Sequence, residues 1–137
     1  MGRFSVEVEL TNDKDLIRAE DGVIAPQQVR RLRIRGVVDS GATFLVIPES
    51  TAKQLGVEVS GAVKVRYADG RTAQRPVAQH VHLSYGGRDN VFSAIVEPEW
   101  DSALIGAIVL EVLDFRVDCT ERRLVPRDPN QIVAEVE

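Results

Sequence analysis

Apolar and polar residues alternate from the start of the chain. In "RFSVEVEL", Phe4, Val6, Val8 and Leu10 share one face, while Ser5, Glu7 and Glu9 share the other. A period of two predicts a half-buried strand over residues 3–10. "TNDKDLIRAEDG" then reads as a polar connection with a turn at Gly22. Alternation resumes in "VRRLRIRGVV", with Leu32 and Ile34 opposite Arg31, Arg33 and Arg35, and this second strand runs directly into "DSGA". The apolar run "FLVIP" predicts a short buried strand. "PESTAKQLGV" predicts a short helix: Pro48 and Ser50 stand near its start, Ala52 and Leu55 can face inward, and Gly56 stands where a C-terminal cap belongs.

"AVKVRYADGRTAQRPVAQHVHLSY" divides into two alternating halves around Asp69-Gly70, a strong hairpin signal. "GGRDN" predicts another turn and "VFSAIVE" another strand. In "ALIGAIVLEVLDFRVD" the pattern changes. An apolar run meets Gly106, after which Ile108, Leu110, Val112 and Leu113 fit a brief helix. "FRVD", a turn at "CTER" and "RLVP" complete the pattern. No repeat, low-complexity tract or linker divides the chain. These elements predict an all-β fold: a partly closed barrel with one or two short helices.

Composition narrows the picture. A chain of 137 residues suits one domain able to bury a real core, and with 44% apolar residues it is not disordered. Aromatic residues are few, so Val, Leu, Ile and Ala must build the interior, which favours strands. Net charge is −4 with no long run of one sign, which disfavours non-specific nucleic-acid binding. The single Cys119 can form neither an intrachain disulfide nor a zinc cluster, and its turn gives no sign of an activated nucleophile. No apolar stretch approaches the roughly 20 residues needed to span a bilayer, and the alternating N-terminus is not a secretory signal. A cytoplasmic protein without membrane or nucleic-acid partners is the expectation.

The chemistry centres on Asp39 in "VVDSGATFLVIPES", residues 37–50. An ionised carboxylate at the end of a buried strand is costly unless it is paired or shares its charge, and such groups are often functional. Gly41 permits a tight turn that brings main chain close to Asp39, Ser40 offers a hydroxyl to fix the loop, and Ala42 keeps space open beside the carboxylate. A second element, "ALIG", places Leu104 and Ile105 before Gly106 about 65 residues further on, with a hairpin between.

Asp-Ser-Gly-Ala-Thr after an apolar strand, followed at a distance by apolar-apolar-Gly and a short helix, resembles the retropepsin-like aspartic proteases, in their cellular branch. The order of parts also matches over roughly residues 29–126. The resemblance implies a single acid-protease domain over residues 1–137, with a core at about 29–126, an extra N-terminal strand at 3–10 and a C-terminal tail at 127–137. It implies an aspartic endopeptidase with no cofactor and no metal. Asp39, Ser40 and Gly41 would form the catalytic loop. Ala42, Thr43, the hairpin residues Tyr67, Ala68, Asp69, Gly70 and Arg71, and Leu104, Ile105 and Gly106 would bind an extended peptide or protein substrate.

Such chemistry needs two carboxylates, and two held close do not both ionise easily. This chain carries one Asp-Ser-Gly. The resemblance therefore implies a symmetric homodimer in which Asp39 meets Asp39 of a second copy, the pair sharing a proton. The residue at Ser40 would brace the two loops. The hairpin around Tyr67–Gln74 would be the flap that closes over substrate. The chain departs from retroviral members at Thr43 and Ala107, where those usually carry an acidic residue and an arginine that pair to support the dimer.

Plainer readings stand beside these. Asp39 could cap a turn in a catalytically silent dimeric barrel that binds peptides or a partner protein in the same cleft. The alternate arginines of "RRLRIR" suit a solvated face better than a nucleic-acid stripe, having no interleaved aromatics to stack bases. His80 and His82 share a strand face but lack a nearby third metal ligand. Trp100 in "EPEWDSALIG" reads as an ordinary core or rim aromatic.

Overall fold

The first alternating segment forms β1 (Phe4–Asn12), which buries Phe4, Val8 and Leu10. In the computed structural model, which describes residues 3–136, it is followed by a helix, α1 (Asp13–Glu20), where sequence periodicity suggests only a polar connection. Met1, Gly2 and Glu137, the ends of the expected domain, lie outside the described residues. The helix is made by its cap rather than by an apolar stripe. The Asn12 side chain accepts from the Asp15 amide at 3.0 Å, and Asp13 and Asp15 occupy the first turn, where acidic groups complement the helix dipole. Asn12 also donates to the Leu55 carbonyl at 2.9 Å, tying α1 to a distant part of the chain.

Asp15 is buried and fully engaged. Its carboxylate accepts from Arg30 Nε at 2.8 Å, Arg30 Nη2 at 3.1 Å and the Arg30 amide at 3.1 Å. The Arg30 hydrogen bond outweighs burial and holds the Asp15 carboxyl below the usual aspartate range.

The second alternating segment is β2 (Arg31–Val38), antiparallel to β1. Register places Arg31, Arg33 and Arg35 across from Thr11, Glu9 and Glu7, so the arginine stripe lies on a face of mixed charge. After β2 come β3 (Leu45–Pro48), buried throughout, and α2 (Glu49–Leu55), as the pattern predicts. Gly56 ends α2 in the left-handed region at φ 65°, its amide reaching the Ala52 and Lys53 carbonyls. A Cβ at this position would collide with the Arg30 guanidinium.

The long central hairpin is β4 (Val59–Arg66) and β5 (Thr72–Tyr85). β6 spans Arg88–Glu97, so Arg88, Asp89 and Asn90 belong to a strand and not to the expected "GGRDN" turn. Gly86 and Gly87, both at positive φ, make the two-residue connection alone, which is the geometry a tight hairpin demands. β7 (Ala103–Ile105) runs parallel to β2 and antiparallel to β3, and leads into α3 (Ala107–Val112). The buried residues at this helix are Val109, Leu110 and Leu113; Ile108 and Val112 stay exposed. β8 (Phe115–Asp118) and β9 (Arg123–Pro126) form a separate two-stranded sheet.

The main sheet runs β1-β2-β7-β3-β6-β5, and β1 pairs again with β5, closing six strands into a ring. The barrel is thus closed rather than partly closed, and the N-terminal strand supplies the closure. β4 lies outside the ring on β5 alone. Leu10, Leu45, Ile47, Leu83, Val38, Val81 and Ile105 fill the interior with almost no exposure. No described helix is long and apolar enough to cross a membrane.

Candidate active site

Asp39 is the first residue beyond β2. Its amide donates to the Ile105 carbonyl at 3.0 Å, extending the parallel β2–β7 ladder by one bond past the Val38–Ile105 pair. The chain then turns at once. The Ala42 amide returns to the Asp39 carbonyl at 3.1 Å, and the Gly41 amide donates to Asp39 Oδ1 at 3.0 Å. A Cβ on Gly41 would stand 3.2 Å from that oxygen, so glycine lets the amide approach freely. The carboxylate remains reachable, its side chain 21% exposed.

The other oxygen, Oδ2, accepts from Arg3 Nη2 at 2.9 Å. Antiparallel register explains the meeting: Phe4 pairs with Val38, which sets Arg3 beside the strand end at Asp39. Arg3 carries no local mark of this role in the sequence, because the contact depends on strand register across 36 residues.

The second motif is locked to the first by main chain. The Ala107 amide donates to the Ala42 carbonyl at 2.8 Å and the Ile108 amide to the Thr43 carbonyl at 2.9 Å. Thr43 and Ala107 therefore sit on segments joined by backbone bonds, with no ion pair needed between them. Gly106 makes this possible. A Cβ there would lie 2.5 Å from the Phe44 carbonyl oxygen and 2.8 Å from the Thr43 carbonyl carbon. Ile105 turns its side chain into the core and offers its carbonyl, whereas Leu104, between two buried neighbours, is half-buried on the opposite face. Ser40 and Thr43 are exposed and Ala42 is half-buried.

The hairpin residues form a compact tip. The Gly70 amide donates to the Tyr67 carbonyl at 2.9 Å and the Tyr67 amide to the Arg71 carbonyl at 2.8 Å, with Gly70 at φ 90°. Asp69 accepts from the Arg71 amide and from Arg71 Nε, at 3.0 and 2.7 Å, which lowers its carboxyl from the usual range. Ala68, Asp69, Gly70 and Arg71 are exposed. Tyr67 is half-buried, and its hydroxyl donates to Glu97 Oε2 at 2.7 Å. Arg75 Nε donates to Glu97 Oε1 at 3.0 Å and to the Tyr67 hydroxyl at 2.9 Å. Burial first, then the Glu97 carboxylate, pushes the Tyr67 phenol up from its ordinary value. Arg75 and Glu97 lie outside the site residues that the sequence motifs mark. Glu97 alone of the two has a local signal, the one that marks Asp39: a carboxylate closing an apolar strand.

His82 Nε2 lies 2.7 Å from Asp89 Oδ2, while His80 is exposed at a β-bulge with φ 59°. Among the described residues no group of three or more His, Cys, Asp or Glu is placed to hold a metal ion. Trp100 is exposed in the loop between β6 and β7.

Comparison with known proteins gives the family. The family model described as "Aspartyl protease" matches residues 25–109, which is more than half of the chain and includes both the Asp39 loop and Gly106. The chain belongs to the aspartyl protease family, and its activity class is that of an aspartic endopeptidase. Among curated proteins none matches the chain. Of solved structures, the EIAV protease complexed with the inhibitor HBY-793 is similar, with a TM-score of 0.54 at 14% identity, covering 80% of this chain and 86% of that one. The simian foamy virus (mac) protease in solution has a TM-score of 0.49 at 17% identity, covering 78% of this chain and 91% of that one. The EIAV protease likeness shows the retropepsin-like fold.

Proposed function

We propose that the chain cleaves peptide bonds as a symmetric homodimer, with water activated between Asp39 and Asp39 of a second copy. The observation that carries this reading is the single Asp-Ser-Gly loop: one reachable carboxylate, held by the Gly41 amide, on a loop bonded to the Ala107 and Ile108 amides, in a chain that supplies no second copy of the loop. Aspartic proteolysis uses two carboxyl groups. One, as carboxylate, takes a proton from water, while the other, protonated, polarises the scissile carbonyl and receives the developing charge. Two-fold symmetry supplies both from one sequence.

In this arrangement Ser40 braces one loop against the other. The substrate lies extended, as a strand whose backbone bonds give affinity and whose side chains enter pockets. Ala42, Thr43 and Leu104 line the cleft floor beside the carboxylates. The Tyr67–Arg71 tip closes from above and limits water entry. No metal or cofactor takes part.

The test is cleavage of a diverse peptide library by wild type and Asp39→Asn, from acidic to neutral pH, read by mass spectrometry. Cuts that vanish in the variant support the dyad and give the specificity in the same run. Cuts that survive in Asp39→Asn overturn the assignment. A wild type that is dimeric at the assay concentration and cuts nothing turns the reading toward a peptide-binding barrel.

A further inference from the structure

The hairpin of β4 and β5 has little apolar burial to hold it. Every residue of β4 except Val65 is exposed, and the strand pairs with β5 alone, outside the closed ring. A hairpin on a single edge is marginal without packing. Yet three polar side chains tie its tip to the barrel. Tyr67, at the turn after β4, and Arg75, on β5, both donate to the carboxylate of Glu97 at the end of β6. Arg75 also donates to the Tyr67 hydroxyl, so the three groups close a triangle of hydrogen bonds.

Glu97 is the unusual member. It is 5% exposed, and it ends a strand whose preceding residues Ala94, Ile95 and Val96 are apolar and buried or half-buried. An apolar side chain would fill such a position at lower cost than a carboxylate that must be desolvated. What the carboxylate adds is a directional hold on both arms of the hairpin at once. It does so from a set place, since Glu97 pairs with Pro48 of β3 and precedes the loop leading to β7 and Gly106. The hold is therefore continuous with the strands that carry the Asp39 loop.

We propose that Glu97 is a positioning residue for the protease: through Tyr67 and Arg75 it latches the β4–β5 hairpin and thereby sets substrate affinity. The role in affinity rests on the proposed function of the hairpin as a flap; the latch itself does not. Arg71 stacks over the Tyr67 ring at 5.2 Å, so the latch also orients the exposed cation of the tip.

Amide hydrogen exchange of the substrate-free protein tests the latch without relying on catalysis. In Glu97→Ala and in Tyr67→Phe, exchange across residues 59–75 is expected to rise about tenfold, the order expected for a lost hydrogen bond to a charged group, while β1 and β2 keep their protection. Glu97→Gln retains one acceptor oxygen and is expected to fall between wild type and Glu97→Ala. Unchanged hairpin exchange in both Glu97→Gln and Tyr67→Phe overturns the proposal, as does an equal rise across the whole barrel.

Kinetics on a cleaved peptide then test the positioning role. KM is expected to rise several-fold in Glu97→Gln with kcat changed less than about twofold, the split that marks lost binding without lost chemistry. A looser hairpin with unaltered KM overturns that role. A wild type that cuts no peptide removes the proteolytic reading, and the role in affinity with it, while the exchange result still decides the latch.

Discussion

Arg3 Nη2 lies 2.9 Å from Asp39 Oδ2, so in the single chain the candidate catalytic carboxylate has a guanidinium on one oxygen and the Gly41 amide on the other. In the proposed homodimer, Arg3 competes with the second Asp39 for this carboxylate. Arg3 is 67% exposed, and ion pairs of that kind contribute at most about 1 kcal/mol, so the cap is weak enough for the proposed dimer contact to displace it. Arg3→Ala is therefore expected to raise peptide cleavage at low enzyme concentration by about two- to fivefold, the factor that such an energy allows. Specific activity measured against protein concentration checks this. Equal curves for the two proteins would show that Arg3 does not compete with dyad formation.

Gly106 carries the junction between the two motifs, and its neighbours are backbone atoms that cannot swing aside. Gly106→Ala sets a methyl group against the Phe44 carbonyl oxygen and the Thr43 carbonyl carbon. The expected cost is about 2 kcal/mol or more in urea unfolding, the range for overpacking at a tight contact. Because the displaced segment holds Ala42 and Thr43, cleavage is expected to fall further than stability alone explains. Activity retained at full strength in a folded Gly106→Ala protein would contradict the close junction.

Much of this arrangement is legible from pattern alone, and the exceptions have physical causes. β1, β2 and β3 show as alternation or as short apolar runs, and α2 shows through its capping glycine, because these signals are local. Asp39 stands out because a carboxylate ends an apolar strand beside glycine. α1 is hidden because its hold on the barrel is polar: the Asn12 cap, and the Asp15–Arg30 pair that closes over 15 residues of chain. Ring closure by β1 on β5 is hidden because strand partners at long range leave no mark in either segment. Arg3 becomes visible only with the β1–β2 register, and Glu97, though it closes an apolar strand as Asp39 does, shows its partners Tyr67 and Arg75 only in the fold.

The Asn12 cap can be measured directly. Asn12→Ala removes the acceptor for the Asp15 amide and the donor to the Leu55 carbonyl, both buried. Loss of a cap costs about 1 kcal/mol and an orphaned buried carbonyl adds a similar amount, so destabilisation of about 2 kcal/mol is expected. Urea midpoints of wild type and variant give the value. A change below about 0.5 kcal/mol, the scatter of an ordinary surface substitution, would mean that α1 is held by something else.

Asp15 links stability to the acidic conditions in which an aspartic protease is assayed. Its carboxyl is held below the usual range in the folded protein, chiefly by the Arg30 hydrogen bond, and returns to that range on unfolding. The unfolded chain therefore binds the proton more readily. It follows that the pair stabilises the fold fully above the usual aspartate range, near pH 4 and upward, and loses that contribution as pH falls through the lower, folded value. Asp15→Asn removes the titrating group and leaves Arg30 without its carboxylate. The variant is expected to be less stable than wild type at pH 6 by about 2 kcal/mol, with the gap narrowing between pH 4 and pH 2 as wild type becomes protonated. Urea midpoints taken across that range give both curves. A gap that stays constant down to pH 2 would show that Asp15 contributes by packing and not by its charge.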